Sequence, residues 1–206
     1  WVQEAAVDLT LVGRDVDKTE RVAADLRVRS PQSVVRVLQA NFVDPLAIRQ
    51  LVDAIVAQGT AHTVLIAHGS LPDQPMCQQD LAACQDALTV NGTSPVLFAE
   101  AFAGHMQQAN AGTLAIIGSV AGDRGRKSNY VYGAAKGLVA RYAQGLQHRL
   151  ASTGVKVVLI KPGPTQTPMT AHLQAKGQRM ASVEEVAERI VRGMHKGNLL
   201  VYAPAK

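Results

Sequence analysis

Apolar positions along the chain follow two alternating rhythms. Short β-rich runs occur at Asp8 to Gly13, Ser33 to Leu38, His62 to Ala67, Thr113 to Gly118, Val155 to Lys161 and Leu199 to Tyr202, and stretches with helical spacing separate nearly all of them. Leu114 to Ile117 and Val157 to Ile160 are continuously apolar, which predicts strands covered on both faces, as in a parallel sheet. Between them, Leu46, Ile48, Leu51, Val52 and Ile55 fall close to one helical face, and Asp44 before Pro45 supplies an N-cap and first-turn pair for a helix over Pro45 to Val56. Near the other end, Ser182 and Glu185 have capping-box spacing ahead of an apolar stripe of Val183, Val186, Ala187, Ile190 and Val191. Trp1 to Ala6 reads as the tail of a helix that leads into the first strand. Strand, helix, strand, repeated, predicts an α/β fold built on a doubly wound parallel sheet.

Composition narrows this further. The 206 residues are 47% hydrophobic, mainly Ala, Val and Leu, enough for one sizeable core. Without an internal repeat, a low-complexity tract or a linker-like shift in composition, residues 1–206 are expected to form a single domain. No apolar run reaches the roughly 18 residues needed for a membrane span, and no signal peptide is seen, so the expected setting is cytoplasmic. The net charge of +5 is scattered, so no nucleic-acid stripe forms. The densest group, Arg124, Arg126 and Lys127, is open to two readings, a solvated loop or a contact for an anionic substrate. Cys77 and Cys84 lack metal-ligand spacing, so no metal site is expected and both read as reduced, partly buried thiols.

The segment Gly118 to Lys136, GSVAGDRGRKSNYVYGAAK, carries the chemistry. It places Ser119 just past a buried strand and sets Tyr132 and Lys136 on one face of the following helix, whose apolar stripe continues through Leu138, Val139, Tyr142, Leu146 and Leu150. A phenol titrates near about 10, and an ammonium within about 4 to 6 Å lowers that by roughly 1 to 3 units. Tyr132 is therefore expected to work near neutrality, giving a proton to a ketone oxygen or taking one from an alcohol, with Ser119 holding that oxygen. Upstream, Pro95 has no N–H for the carbonyl of Asn91, so a helix there is expected to kink and free that carbonyl for a relay water.

A strand, a serine and then Tyr-x-x-x-Lys 13 positions later resemble the active site of the short-chain dehydrogenase/reductase family, and VNGTSP around Asn91 matches the family's helix asparagine. The resemblance covers nearly the whole chain. It implies a Rossmann-type NAD(P)-binding domain that transfers hydride between nicotinamide and a carbonyl or secondary alcohol, with Asn91, Ser119, Tyr132 and Lys136 as its tetrad. LVGRD is similar to the family's second strand, which places Gly13 and Arg14 at the adenosine ribose. The Arg14 guanidinium suits a phosphate and favours NADP over NAD, with NAD possible and Asp15 and Asp17 close by. NFVD places Asn41 and Phe42 beside the adenine, with Asn41 where an aspartate is more typical. IAHG matches Asn-Asn-Ala-Gly cleanly only at Gly69, with Ala67 replacing an asparagine and His68 reading as a packing residue. KPGPTQTPM resembles the proline-glycine turn, so Pro162, Gly163, Thr165 and Thr167 are expected at the nicotinamide amide and the phosphates. Met169 to Met180 lacks a strong period and is expected to form a mobile substrate lid.

The same resemblance puts a first strand and a glycine-rich turn ahead of Trp1, and often further residues after Lys206, so the sequence is expected to be incomplete at both ends. It also implies a homodimer or homotetramer. VAGDRGRKSNYVYG followed by VYAP looks most like reductases near those acting on keto-sugars linked to polyprenyl phosphate. The alternative is a non-catalytic nucleotide-binding or regulatory protein of the same fold.

Overall fold

The computed structural model describes residues 1, 2, 4–171, 177 and 179–204, which group into two compact units, Trp1–Leu51 and Val52–Lys206. In the first, β1 (Asp8–Gly13) and β2 (Val34–Gln39) pair in parallel from Asp8↔Val34 to Gly13↔Gln39. The connecting helix α1 (Val16–Arg29) starts at Asp15, whose carboxylate accepts the Lys18 N–H at 3.0 Å. Where the tail of a helix was expected, the Trp1 carbonyl accepts the Glu4 N–H at 2.8 Å and the Ala5 N–H at 3.2 Å, the second being the bond of an α-helical turn. Just downstream, Val7 donates to Ser33 Oγ at 3.0 Å and accepts from Val34 N–H at 2.9 Å, so the chain is already extended there.

Helix α2 (Pro45–Ala57) contains the boundary between the units, and Asp44 caps it by accepting the Leu46 N–H at 2.9 Å. The second unit continues with β3 (Thr63–Ile66), α3 (Gln74–Gln79), α4 (Leu81–Leu88), a π-turn (Thr89–Thr93) and α5 (Ser94–Ala109). Then come β4 (Gly112–Ile117), a 3-10 turn (Val120–Gly122), α6 (Tyr130–Arg149), β5 (Val155–Pro162), α7 (Val183–His195) and β6 (Leu200–Ala203). Its sheet has the order β3-β4-β5-β6 with every pair parallel. Helices connect the parallel strands throughout, which is the Rossmann-like α/β arrangement that the alternation predicted.

All six expected strands are present within one residue at each end. The two apolar runs are covered on both faces: Leu114, Ala115 and Ile116 are at most 1% exposed, and Val157 to Ile160 at most 2%. Ser182 caps α7 by accepting the Glu185 N–H at 3.1 Å, as the capping spacing predicted. Cys77 and Cys84 are free thiols, the first buried and the second partly so. No helix among the described residues is long and apolar enough to cross a membrane.

Leu114 is fully buried in β4, whereas Leu138 on α6 is 47% exposed. Leu114→Ala should therefore cost about 2 to 5 kcal/mol in a denaturant titration, while Leu138→Ala should stay within about 0.5 kcal/mol of the parent.

Candidate active site

The chemistry expected from the sequence converges where β4 ends. Beyond Ile117 the chain turns, and Ser119 caps the short 3-10 turn by accepting the Ala121 N–H on Oγ at 3.1 Å. This turn lies directly on the backbone of α6. A Cβ added to Gly122 would fall 2.7 Å from the Lys136 carbonyl carbon, and one added to Gly133 would fall 2.9 Å from the Ala121 oxygen, so only glycine allows this approach. Contact at that range brings the Ser119 hydroxyl to the side of Tyr132, where its polar influence favours the phenolate. One helical turn on, Lys136 is 3% exposed, donates from Nζ to the Ile117 carbonyl at 3.1 Å and stands 5.9 Å from the centre of the Tyr132 ring.

Burial governs the electrostatics of the pair. It raises the Tyr132 phenol above its ordinary value, with the Ser119 hydrogen bond acting in the opposite direction. The expected lowering of Tyr132 by Lys136 is therefore not what the resting site shows. Lys136 is itself desolvated, which draws its ammonium down to about 8.

Asn91 lies in the π-turn that precedes Pro95 and is fully buried. The irregularity expected from Pro95 thus takes the form of a wider helical turn. The Asn91 amide is saturated: Oδ1 accepts the Ser70 N–H at 2.8 Å, and Nδ2 donates to the Ala87 carbonyl at 2.9 Å and to Ser70 Oγ at 3.2 Å. These bonds fasten the loop after β3, and a Cβ on Gly69 would lie 2.9 Å from Asn91 Oδ1 and 3.6 Å from Lys136 Nζ. Asn91, Gly69, Lys136, Tyr132 and Ser119 are thus brought to one place. Ala67 lies on that loop and is exposed. His68 is a packing residue, as expected, with its ring against Phe98 and Nε2 2.8 Å from Ser94 Oγ.

Sequence reading missed Gln74, the first residue of α3. Its Oε1 accepts the Val131 N–H at 3.0 Å, one residue before Tyr132, and its buried Nε2 has no hydrogen-bond partner among the described residues. Neither a period nor a motif marks it, because the contact joins positions far apart in the chain. Asp123, Lys161 and Tyr202 were missed for the same reason. Lys161 Nζ lies 2.5 Å from Asp123 Oδ1, and the Tyr202 hydroxyl donates to Asp123 Oδ2 at 3.3 Å.

Residues expected at a dinucleotide occupy the carboxyl ends of strands in each unit. In the first, the Gly13 carbonyl accepts the Ala40 N–H at 3.1 Å, which sets Arg14 and Asn41 at the same edge. Arg14 is exposed, while the neighbouring Asp15 carboxylate is engaged in capping α1 and in a 3.3 Å contact with Lys18 Nζ. Asn41 Oδ1 accepts the Val43 N–H at 3.1 Å, and Phe42 is buried. In the second unit, Pro162 ends β5, and the Gly163 N–H donates to the Ala203 carbonyl at 2.9 Å. Thr165 Oγ1 donates to the Gly163 carbonyl at 3.0 Å, and Thr167 Oγ1 is 3.2 Å from Thr170 Oγ1, so both hydroxyls help close this turn. Of the lid expected over Met169 to Met180, Met169 and Thr170 belong to a 3-10 turn (Pro168–Thr170) and residues 172–176 and 178 lie outside the described residues, while just beyond it Ala181 bridges to Thr165.

Lys136 tests whether a nicotinamide nucleotide fits. An ammonium has three donors, and among the described residues the Ile117 carbonyl is its hydrogen-bond acceptor, which leaves N–H groups for the neighbouring hydroxyls of a ribose. A buried cation with spare donors, beside a backbone kept bare at Gly69, fits that group.

Comparison with known proteins agrees with this geometry. The family model for short chain dehydrogenases matches residues 2–178. An uncharacterised oxidoreductase of Mycobacterium tuberculosis is 31% identical over 202 residues, covering 97% of this chain and 80% of that protein. Another, from Streptomyces coelicolor, is 28% identical over 197 residues, covering 94% of this chain and 76% of that one. Among solved structures, a short-chain dehydrogenase from Sphingobium yanoikuyae in complex with NADPH superposes with a TM-score of 0.88 at 24% identity, covering 98% of this chain and 80% of its own.

The Lys136 shift has a measurable consequence. Because its value falls from 10.5 to about 8 on folding, the unfolded chain binds more protons than the folded one between those values. Folding stability contributed by this group should rise with pH across that window, as the cost of burying the charge is relieved. Denaturant titrations of the parent and of Lys136→Met, taken from about pH 7 to about pH 10.5, should differ by a term that grows with pH in the parent. A pH-independent difference would mean that Lys136 is not held in the desolvated environment described.

Proposed function

Because the chain belongs to the short-chain dehydrogenase family of oxidoreductases, we propose that it is an NADP(H)-dependent enzyme acting between a carbonyl and its secondary alcohol. The observation that carries this reading is the buried ammonium of Lys136, bonded to the Ile117 carbonyl and 5.9 Å from the centre of the Tyr132 ring, with Ser119 on the adjoining turn. A nicotinamide coenzyme, when bound, supplies or accepts the hydride. The chain's own residues manage the oxygen. Ser119 donates a hydrogen bond that holds the substrate oxygen, and Tyr132 passes it a proton in reduction or takes one in oxidation. Burial favours the protonated phenol, the form a proton donor needs.

Lys136 holds the nicotinamide ribose, and Asn91 fixes the loop that carries Ala67 and Gly69 beside it. Pro162, Gly163, Thr165 and Thr167 form the turn at the nicotinamide amide. In the first unit Gly13 and Arg14 meet the adenosine ribose and its phosphate, with Asn41 and Phe42 at the adenine. The exposed guanidinium of Arg14, next to an aspartate already engaged with Lys18, supports NADP over NAD. A homodimer or homotetramer in a cytoplasmic setting completes the proposal.

Two variants test it in the full chain. Tyr132→Phe should lower turnover about 100-fold or more across a panel of ketones, with NADPH affinity by fluorescence titration unchanged within about twofold. Near-parental turnover would remove Tyr132 from the chemistry. Arg14→Ala should weaken NADPH about ten- to a hundredfold and leave NADH nearly unaffected. Equal weakening of both would remove the phosphate role, and binding of neither coenzyme by the parent would favour a non-catalytic protein.

A further inference from the structure

We infer that Asp123, Lys161 and Tyr202 form a positioning triad that holds the Ser119 turn against α6 and so keeps the Ser119 hydroxyl on Tyr132. The inference rests on the reading of Ser119 and Tyr132 as the pair at the reacting oxygen, and it adds residues outside the proposed tetrad.

The turn from Ser119 to Asp123 is one short closed body. The Gly122 N–H donates to the Ser119 carbonyl at 3.1 Å, and the Asp123 N–H donates to the Val120 carbonyl at 3.2 Å. One side of this body is fixed by the backbone contacts of Ala121 and Gly122 with α6. Its far end is fixed by Asp123, whose two carboxylate oxygens point to two different strands. Oδ1 lies 2.5 Å from Lys161 Nζ on β5, and Oδ2 accepts the Tyr202 hydroxyl of β6 at 3.3 Å. Lys161 Nζ also stands 5.8 Å from the centre of the Tyr202 ring, which closes the triad.

Lys161 is 7% exposed while its partner Asp123 lies at the surface, so the ion pair adds little stability of its own. What it adds is geometry. An apolar patch would let the turn slide along the sheet edge, whereas two directed bonds from one carboxylate fix its distance and its twist. A displacement of the turn toward α6 meets the backbone of that helix, and one in the opposite sense stretches the Lys161 contact.

The test reads the Ser119–Tyr132 bond directly and needs no substrate. The full chain is labelled with 3-fluorotyrosine, its four tyrosines are assigned by single Tyr→Phe variants, and the titration of Tyr132 is followed by fluorine NMR. Ser119→Ala sets the reference and should move the Tyr132 midpoint up by about half to one pH unit, the worth of one hydrogen bond. The charge-neutral pair Asp123→Leu with Lys161→Met should move it up by a comparable amount, and Tyr202→Phe in the same direction by less. Asp123→Asn should also move it up, although loss of a nearby negative charge alone would move it down. A parental midpoint in any folded Asp123 variant, while Ser119→Ala shifts, overturns the inference. No shift in Ser119→Ala overturns it too, since the triad would then have no bond to protect. Failure of the oxidoreductase reading shows elsewhere, as loss of coenzyme binding by the parent.

Discussion

The site depends on a single buried ammonium. Lys136 lies on the inner face of α6 with almost no exposure, and removing a cation from water costs several kcal/mol unless an acceptor is waiting. The acceptor is the carbonyl of Ile117, at the last residue of β4, where the strand leaves the ladder and its carbonyl turns toward the helix. The parallel sheet therefore does more than fill a core. Its carboxyl edge supplies the oxygen that tolerates Lys136 and, two residues later, the serine that meets Tyr132. The ladders that β4 makes with β3 and β5 hold that carbonyl in place for the ammonium.

Close backbone packing follows from that requirement. For a helix to carry Lys136 down to the Ile117 carbonyl, the segments on either side of it must also come close. The 3-10 turn does so through Gly122 and Gly133, and the π-turn places Asn91 where it can fasten the loop next to Lys136. The wider turn at Asn91 places a fully bonded amide in the interior without leaving a polar atom unsatisfied.

The strands, the helix starts and the shared face of Tyr132 and Lys136 were legible in the sequence for local reasons. Buried parallel strands write themselves as apolar runs, and helix starts write themselves as Asp44-Pro45 or Ser182 with Glu185, so periodicity and capping chemistry located them. Tyr132 and Lys136 share a helix face by spacing alone. Gln74 and the Asp123–Lys161–Tyr202 cluster were not legible, because each bond spans between 38 and 79 positions and no local rule links its ends.

The sign of the Tyr132 shift also follows from competition between two terms. A nearby ammonium stabilises a phenolate, but the same burial that brings Lys136 close also removes the water that would solvate that phenolate. In the resting site the second effect wins: Tyr132 is raised, Lys136 is lowered to about 8, and the pair carries one positive charge at neutral pH. Proton donation reverses the balance. Once Tyr132 has given its proton to a substrate oxygen, phenolate and ammonium form a neutral pair, and in a medium of low dielectric such a pair is favoured over an isolated cation. In the proposed reading, Lys136 thus leaves the phenol protonated at rest and stabilises the state that follows transfer, which is the differential effect a catalyst requires.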